Sequence, residues 1–370
     1  MRILHTITFK PTTQPYPVFL RYIGCVAFVL FLYSCSTVPQ TQLKTQQDDD
    51  PIDYSLVFLI HGDGDYLYHD TGGFANKADE KALQRAQRVA EQNPQAEVFI
   101  FHQKPRKHTL FFFPRRDGKL YYYRNGRLLA EEKYRRNQGD SRFDPEVQLY
   151  HRFRAKEHPR PVTMFLYFGH DIPEFDGRGY DASYRNEIFT VDDLAGGLRR
   201  FTGESGAFDL VVLSTCFNGT PHSIGTLSPY AQTIIASPDD LHLSYLDLKP
   251  FERLETGLRD GDTEAFAKNF AQHAFNRLTE YIHTSVAITV YNVDRVQEYV
   301  HAVDSAYNKT LTLLEELNPG FPDYIDCGDD SAYTFDGMSD GVKVFYRPPR
   351  FGRLQNKQSH SGWGCPVRPE

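Results

Sequence analysis

The chain has 370 residues, and its 41 Lys and Arg against 48 Asp and Glu give a formal net charge of −7. This mildly acidic balance gives no reason to expect nucleic acid as a partner, and 24% charged with 40% hydrophobic residues is ordinary for a folded, water-soluble body. The length alone allows about two domains or one elaborated α/β domain.

An apolar run near the N-terminus predicts a leader. Residues 22–34, YIGCVAFVLFLYS, follow scattered basic residues. This apolar segment is shorter than a typical membrane-spanning helix and lies close to the start of the chain. Residues 32–35, LYSC, resemble a bacterial lipoprotein box, in which the cysteine is acylated and becomes the mature N-terminus. We therefore predict a leader over residues 1–35 and a lipid on Cys35, with an uncleaved N-terminal anchor as the alternative. The predicted location is the bacterial cell envelope, facing the periplasm or the cell surface.

The rest of the chain divides by composition. Residues 36–52 are polar and predict a flexible tether. Residues 53–330 alternate apolar strand-like and helix-like segments and predict one folded domain. Residues 331–370 form a polar tail with frequent Pro and Gly, which is ordered only if it is tied down.

The first elements of the domain are two strands and a helix. Tyr54–Ile60 is an apolar run that predicts a strand, and it ends in the acidic loop HGDGD, residues 61–65. This loop lacks the EF-hand pattern, so we prefer a solvated loop to a Ca²⁺ site and predict no metal. Ala78–Gln92 has helical spacing and is ended by Asn-Pro. Ala96–His102 predicts the second strand.

Residues 103–140 interrupt this pattern and predict a β-hairpin insertion. Aromatic triplets are separated by Asp-Gly and Asn-Gly, which favour tight hairpin turns. Arginine and lysine are interleaved with the aromatic residues, a mixture that is also found where single-stranded nucleic acid binds. For an acidic, exported protein we prefer an insertion near the site or a ribbon that faces the membrane.

Two apolar runs end in residues that can do chemistry. VTMFLYFG (162–169) and FDLVVLST (208–215) are short and continuous, as strands buried on both faces are, and they stop at His170 and Cys216. The helical segment between them, with Thr190 as its N-cap, predicts a parallel crossover that brings both strand ends to one edge of the sheet. This pair suits a thiol nucleophile with an imidazole base, whereas the alternative is a small buried cysteine and a structural histidine.

The remaining segments continue the α/β pattern. A short helix directly after Cys216 would have its N-terminus near the sulfur and would favour the thiolate. The predicted segments are a helix at Asp144–Glu157 with Asp144 as cap, a helix at Pro221–Pro229, a strand at Ala231–Ala236, a helix at Phe266–Tyr281, a strand at Ser285–Tyr291 and a helix at Val293–Leu317.

These motifs, in this order, resemble the clostripain-like cysteine peptidases of the caspase-like clan. In that family a strand ends in His-Gly, a helix follows, the next strand ends in Asp-Ala-Cys, and a further strand ends in Ala-Ser-Glu. The resemblance runs from about residue 54 to residue 329 and implies a caspase-like αβα sandwich with a mostly parallel central sheet. The matching positions are His170 with Asp171, Thr190–Leu198, Ser214 to Cys216, and Ala236 with Ser237.

The resemblance also implies a reaction. His170 would be the general base and then the acid, Cys216 would be the nucleophile that forms a thioester acyl-enzyme, and the N–H groups of Asp171 and Cys216 would form the oxyanion hole. The partner would be a protein or peptide substrate. This chemistry requires no cofactor, and the sequence does not indicate the oligomeric state.

Two positions depart from the family pattern. Asp171 replaces the glycine after the histidine, which hinders close approach by a substrate carbonyl. Ser214 replaces the acid that helps to select a basic residue before the cut, and a serine cannot pair with a guanidinium. Asp239 or Asp240 could take over part of that role, so the predicted substrate-binding residues are Ser214, Ser237 and Asp239.

Competing functions remain open. One alternative is a catalytically silent relative that acts as a surface binding module. A serine-type esterase is disfavoured because the chain has no Gly-x-Ser-x-Gly elbow, although His61-Gly62 resembles the oxyanion loop of such enzymes. Related peptidases are often activated by cleavage between the two catalytic strands, and Arg178 and Arg185 are the basic candidates here.

The five cysteines suggest one disulfide. Cys25 lies in the leader and Cys35 takes the lipid, which leaves Cys216, Cys327 and Cys365. An exported protein keeps disulfides, so Cys327 and Cys365 could pair and staple the tail, with Cys216 as the odd thiol. The alternative is that none is bridged, and the sequence alone does not settle the connectivity.

Overall fold

The computed structural model describes residues 51–62, 67–69, 75–104, 108–109, 113–114, 118–135, 143–155, 161–175, 189–203, 206–241, 247–258, 262–317 and 322–369. These residues all belong to the second of two units into which the chain divides, Asp50–Glu370. The predicted leader with Cys35, most of the tether, and Arg178 and Arg185 lie outside them. None of the described helices is long and apolar enough to cross a membrane.

Helices and strands alternate along most of the described chain. The α-helices are α1 (Ala78–Gln92), α2 (Asp144–Phe153), α3 (Val191–Thr202), α4 (Pro221–Leu227), α5 (Leu254–Gly257), α6 (Thr263–Tyr281) and α7 (Val293–Leu317). The strands are β1 (Tyr54–His61), β2 (Leu67–His69), β3 (Ala75–Lys77), β4 (Ala96–Gln103), β5 (His108–Thr109), β6 (Phe113–Pro114), β7 (Gly118–Arg124), β8 (Arg127–Tyr134), β9 (Val162–Phe168), β10 (Phe208–Ser214), β11 (Ala231–Ala236), β12 (Val286–Asn292), β13 (Tyr324–Asp326), β14 (Val342–Arg347) and β15 (Gly364–Pro366).

Nine of these described strands form one central sheet in the order β14-β12-β11-β10-β9-β1-β4-β7-β8. The five central strands, from β11 to β4, are mutually parallel. The outer strands are added in antiparallel pairs. At one edge β12 pairs with β11 and β14 with β12, and at the other edge β7 pairs with β4 and β8 with β7. The predicted mostly parallel central sheet is therefore confirmed.

Both faces of the sheet are covered by helices, as expected for an αβα sandwich. Phe165 and Tyr167 of β9 point to the core beneath α2, α3, α4 and α7. Met164 and Leu166 point to the opposite core, beneath α1 and α6. Because every one of these side chains is fully buried, β9 reads in sequence as one continuous apolar run.

Helix α3 connects the two strands on which the site depends. Thr190 caps it: the Thr190 hydroxyl accepts from the Asp193 N–H at 3.4 Å, and the Asp193 carboxylate accepts from the Thr190 N–H at 2.9 Å. This reciprocal capping box fixes where the helix begins, so Thr190 is the N-cap that the sequence predicts.

The hairpin over residues 118–134 belongs to the central sheet, which corrects the expectation of an insertion near the site. Strand β7 pairs with β4, and β1 and β4 separate it from β9. Tyr122 points into one core and Tyr121 and Tyr123 into the other, so the aromatic triplet is buried on both faces. The β7–β8 turn has positive φ at Asn125 and Gly126, 52° and 68°, as Asn-Gly hairpin turns require.

Two predicted helix boundaries are wrong. Helix α2 begins at Asp144 with Phe143 as its N-cap, and it ends at Phe153 rather than Glu157, since Arg154 is already extended (φ −54°, ψ 132°). Helix α6 begins three residues before Phe266, because the Asp262 carboxylate accepts from the Ala265 N–H at 2.9 Å and caps an earlier first turn.

The C-terminal tail is tied to the body of the protein. Strand β14 pairs with β12 in the central sheet, and β15 pairs with β13. A disulfide joins Cys327 to Cys365, whose Cα atoms are 5.0 Å apart. Trp363 is fully buried, with ring centroids 4.7 Å from Tyr291 and 5.0 Å from Tyr299. These contacts supply the anchoring that an ordered polar tail needs.

Candidate active site

His170 and Cys216 follow neighbouring parallel strands at the same edge of the sheet. Phe168, the last residue of β9, pairs with Ser214, the last residue of β10. His170 and Cys216 each lie two residues beyond this pair, and both are partly buried. The register therefore brings the residues His170 and Cys216 to neighbouring strand ends at the carboxyl edge, where open α/β sheets bind ligands.

The Cys216 thiol lies near the carboxylates of Asp240 and Asp171, and its surroundings favour the protonated form. Its Sγ donates to Asp240 Oδ1 at 3.1 Å, and the Leu241 N–H donates to Sγ at 3.4 Å. Burial raises the pKa of the thiol well above its ordinary value, and the negative charges of Asp240 and Asp171 raise it further, while the Leu241 N–H offsets part of the rise. The short helix predicted after Cys216 is present as α4, and its effect in favour of the thiolate stays a prediction.

The chain turns sharply after Cys216. Phe217 has a positive φ of 51°, which is uncommon for a bulky residue and is held by neighbours on both sides. Its N–H donates to the Asp239 carbonyl at 3.2 Å, and its ring stacks on Tyr324 with centroids 5.3 Å apart. A Cβ at Gly219 would lie 2.6 Å from the Pro238 nitrogen, so only glycine fits where the turn ends.

The predicted substrate-binding residues Ser214, Ser237 and Asp239 lie near this turn, and they differ in burial and in the groups that they contact. Ser214 and Ser237 are both buried, and the Ser237 hydroxyl donates to the Asp239 carbonyl at 2.9 Å. The Asp239 carboxylate faces the tail, with Oδ1 3.4 Å from His360 Nε2. Of the two acids after β11, it is Asp240 that contacts the sulfur.

A pocket of about 310 Å³, including its open mouth, adjoins the pair. Asp171 and Phe217, the residues directly after His170 and Cys216, both line it. Glu174 also lines it, although its carboxylate already accepts from four hydroxyl groups. The lining is Asp171, Ile172, Pro173, Glu174, Phe175, Phe217, Pro322 and Tyr324.

Two residues that connect the segments after His170 and Cys216, Asn218 and Glu174, were not predicted from the sequence. The Asn218 side chain bonds to the backbone of Ile172, and Glu174 is 6% exposed. The nearest signal in the sequence is Thr220-Pro221, which marks the start of a helix with Thr220 as its N-cap. It indicates the helix but not the contacts of Asn218 or Glu174.

His61 is the last residue of β1, which lies next to β9 in the sheet, and Gly62 follows it. His61 Nδ1 is 3.1 Å from Gln103 Oε1, and a Cβ on Gly62 would overlap the Asp79 carboxylate at 2.6 Å. His61 and Gly62 therefore pack against β4 and α1. The acids Asp63 and Asp65 that follow lie outside the described residues, and within the described ranges no group of three or more His, Cys, Asp or Glu is arranged to hold a metal ion.

Replacing Asp240 by asparagine is expected to lower the pKa of the Cys216 thiol, because the substitution removes a negative charge that opposes the thiolate. Alkylation by iodoacetamide, measured across pH, should then shift to lower pH and be about tenfold faster at pH 7.5, the change produced by one pKa unit. Asp239→Asn is the matched control, since the Asp239 side chain faces His360. Equal alkylation profiles for Asp240→Asn and Asp239→Asn would contradict this assignment.

A solved structure of a C11 protease shares this fold. An inactive zymogen C11 protease from Parabacteroides distasonis matches with a TM-score of 0.56 and 14% sequence identity, over 86% of this chain and 92% of that chain. A secreted C11 cysteine protease from Bacteroides thetaiotaomicron, in complex with an irreversible peptide inhibitor, has a TM-score of 0.47 at 14% identity and covers 70% of this chain and 71% of its own. No protein-family model matches the sequence, and no curated protein matches it. At this identity the similarity to the Parabacteroides structure shows the fold.

Proposed function

We propose that this chain, which has the fold of the C11 proteases, is a cysteine-type endopeptidase with His170 and Cys216 as its catalytic pair. The observation that carries the proposal is the register of β9 and β10, which puts both residues two positions past one strand pair. The fold alone would allow many functions. A thiol and an imidazole at adjacent ends of parallel strands match the requirement of acyl transfer for a nucleophile and a base.

The reaction begins from the Cys216 thiol, whose pKa is raised by burial and by nearby carboxylates. His170 takes the thiol proton while Sγ attacks the peptide carbonyl carbon, and the carbonyl electron pair moves to the oxygen. The N–H groups of Asp171 and Cys216 stabilise this oxyanion. When the intermediate collapses, the C–N bond breaks and His170 protonates the leaving amine, which leaves a thioester on Cys216.

Water completes the cycle. His170 removes a proton from the water molecule that attacks the thioester carbonyl carbon. The C–S bond then breaks, the new carboxyl terminus of the peptide leaves, and the proton returns from His170 to the sulfur of Cys216. All these steps use side chains and backbone groups of the chain itself.

The residue preferred before the cut depends on the carboxylates at the end of β11. Ser214 is buried and carries no charge, so it does not pair with an arginine or lysine of the substrate. Asp240 is an acid that contacts the sulfur, and it is the group that would favour a basic residue. Ser237 and Asp239 shape the loop that holds it.

The protein acts outside the cytoplasm, attached through a lipid on Cys35 to a membrane of the bacterial cell envelope. The disulfide between Cys327 and Cys365 supports an oxidising location, because cytosolic thiols are kept reduced. Growth with a radiolabelled or alkyne-tagged fatty acid tests this: the wild type should be labelled and Cys35→Ala should not.

A catalytically silent binding module is the second candidate. The observation in its favour is the protonated, carboxylate-flanked Cys216, a poor nucleophile until its proton is removed. In this function the edge of the sheet binds peptides without cutting them.

Digestion of a mixed peptide library separates the two candidates. The wild type and Cys216→Ala are incubated with the library, and products are read by mass spectrometry. Cleavage by the wild type alone, at a defined set of residues, supports the endopeptidase. If neither protein cuts any peptide while both retain a subset of the library, only the binding module remains.

A further inference from the structure

The two catalytic residues of the proposed function lie on two loops, the His loop (residues 169–175) and the Cys loop (residues 215–220). Beyond the last strand pair, Phe168 with Ser214, the sheet no longer holds these loops side by side. The Gly169 N–H still donates to the Ser214 carbonyl, at a long 3.4 Å. Other contacts must therefore fix the distance from one loop to the other.

A single side chain takes over where the sheet ends. Asn218 Oδ1 accepts from the Ile172 N–H at 3.0 Å, and Asn218 Nδ2 donates to the Ile172 carbonyl at 2.8 Å. The amide thus satisfies both backbone groups of one residue, as a neighbouring strand would. Asn218 lies two residues beyond Cys216, and Ile172 lies two residues beyond His170.

Both ends of this contact are buried, Asn218 at 1% exposure and Ile172 at 2%. Water therefore cannot replace the two hydrogen bonds, and losing one partner would leave buried polar groups unsatisfied. The contact has one well-defined geometry, because both the donor and the acceptor of the amide are used.

Glu174 makes a second connection between the same loops. Its Oε1 accepts from the hydroxyls of Ser223, at 2.9 Å, and Thr220. Its Oε2 accepts from Tyr307 at 2.6 Å and from Tyr324 at 3.3 Å. With four hydroxyl donors this carboxylate holds elements together and has little capacity left for a substrate cation.

The backbone between Cys216 and Asn218 is also held in a conformation that it would not adopt by preference. Phe217 has φ 51°, a sparsely populated conformation for a bulky residue that persists only when the surroundings impose it. The Asn218 amide is one of the contacts that impose it.

We infer that the contact of Asn218 with Ile172, which we call the amide clasp, is a positioning device that sets the distance between His170 and Cys216. This inference rests on the proposed function. Asn218 acts through the two loops and is not itself a catalytic residue. Because misplacement by about 1 Å can cost about 100-fold in rate, loss of the clasp slows catalysis even when the protein stays folded.

The chain offers a matched control in Asn93. Asn93 is buried at 2% exposure, its Nδ2 donates to the carbonyls of Val89 and Phe251 at 2.7 and 2.8 Å, and its Oδ1 accepts from the Leu254 N–H at 3.0 Å. It lies before the amino end of β4, at the edge of the sheet opposite to the proposed pair. Asn93→Ala therefore removes an equivalent buried amide without touching either loop.

The test compares kcat, KM and unfolding for the wild type, Asn218→Ala and Asn93→Ala on a peptide that the wild type cleaves. We expect both variants to lose stability, but only Asn218→Ala to lose kcat, by about 10-fold to 100-fold, with KM changed less than about threefold. Its kcat/KM should also fall at every pH from 6 to 9, which a simple shift of a pKa would not produce.

The outcomes distinguish this inference from the proposed function. A wild type that cleaves no peptide overturns the proposed function and the clasp with it. A cleaving wild type with Asn218→Ala and Asn93→Ala at equal kcat overturns the clasp alone. If Asn218→Ala does not fold, Asn218→Asp keeps the acceptor for the Ile172 N–H, but its ionised carboxylate cannot donate to the Ile172 carbonyl and adds a negative charge that repels it. Asn218→Asp should show the same loss of kcat, and wild-type kcat in that variant overturns the clasp.

Discussion

Cys216→Ala and His170→Ala should each lower peptide hydrolysis by about 10⁴-fold or more, because each removes one of two groups that act as a unit. The double variant should be no slower than the slower single variant, since the second substitution has nothing left to remove. Initial rates with excess enzyme over several hours measure losses of this size.

His151→Ala is the matched control for the histidine. His151 is exposed on α2 and its Nε2 lies 2.8 Å from the Arg200 carbonyl, so its loss should change the rate less than about twofold. Multiplicative losses in the double variant would contradict a pair, because independent sites combine additively in free energy. If Cys216→Ala or His170→Ala hydrolysed peptides at the wild-type rate, the substituted residue would not be catalytic.

Removing the disulfide should have the largest effect on stability. Cys327 and Cys365 are 38 residues apart, and closing a loop of that length stabilises the folded protein by about 4 kcal/mol through the entropy of the unfolded chain. We expect the double variant Cys327→Ala with Cys365→Ala to lose about this much unfolding free energy in urea titrations. The double replacement avoids leaving a free thiol.

The disulfide should also support the Cys loop. The Gly364 N–H donates to the Gly219 carbonyl at 2.9 Å, and Tyr291 Oη donates to the carbonyls of Gly219 and Gly362. Loosening the tail should therefore lower kcat as well as stability. Reductant should destabilise the wild type and leave the double variant unchanged. A double variant as stable as the wild type to within about 1 kcal/mol would show that β14 and β15 hold the tail without the disulfide.

The sequence predicted the parts of the site that depend on burial and periodicity. The strands before His170 and Cys216 are buried on both faces, so they appear as continuous apolar runs, and Thr190 has the hydroxyl that an N-cap needs. Parallel pairing then follows from the helix between them. The adjacency of the two residues could be predicted for this reason.

The parts that depend on the direction of single side chains could not be predicted. Asp239 and Asp240 are neighbours in sequence, yet one faces His360 and the other faces Cys216. Asn218 bonds to both backbone groups of Ile172, and the preceding Phe217 has a positive φ, a conformation that a sequence pattern assigns to glycine rather than phenylalanine. The ordering of the tail could be predicted only conditionally, because it depends on a disulfide and on pairing with a strand far away in sequence.

The pairing of β12 with β14 at the edge of the sheet illustrates the same limit. Val344 pairs with Thr289 across more than 50 residues of chain. Strand β14 is only partly buried, so it lacks the continuous apolar run that marks β9 and β10. Its position follows from pairing that local sequence does not encode.

The most direct test of the catalytic pair is to map the adduct of a peptide that carries a thiol-reactive acyloxymethyl ketone. We predict a single adduct on Cys216, found by mass spectrometry of the digested protein, and labelling at least about 100-fold slower in His170→Ala than in the wild type. Labelling of Cys216 at the same rate with and without His170, or an adduct on another residue, would contradict the claim that these two residues work together.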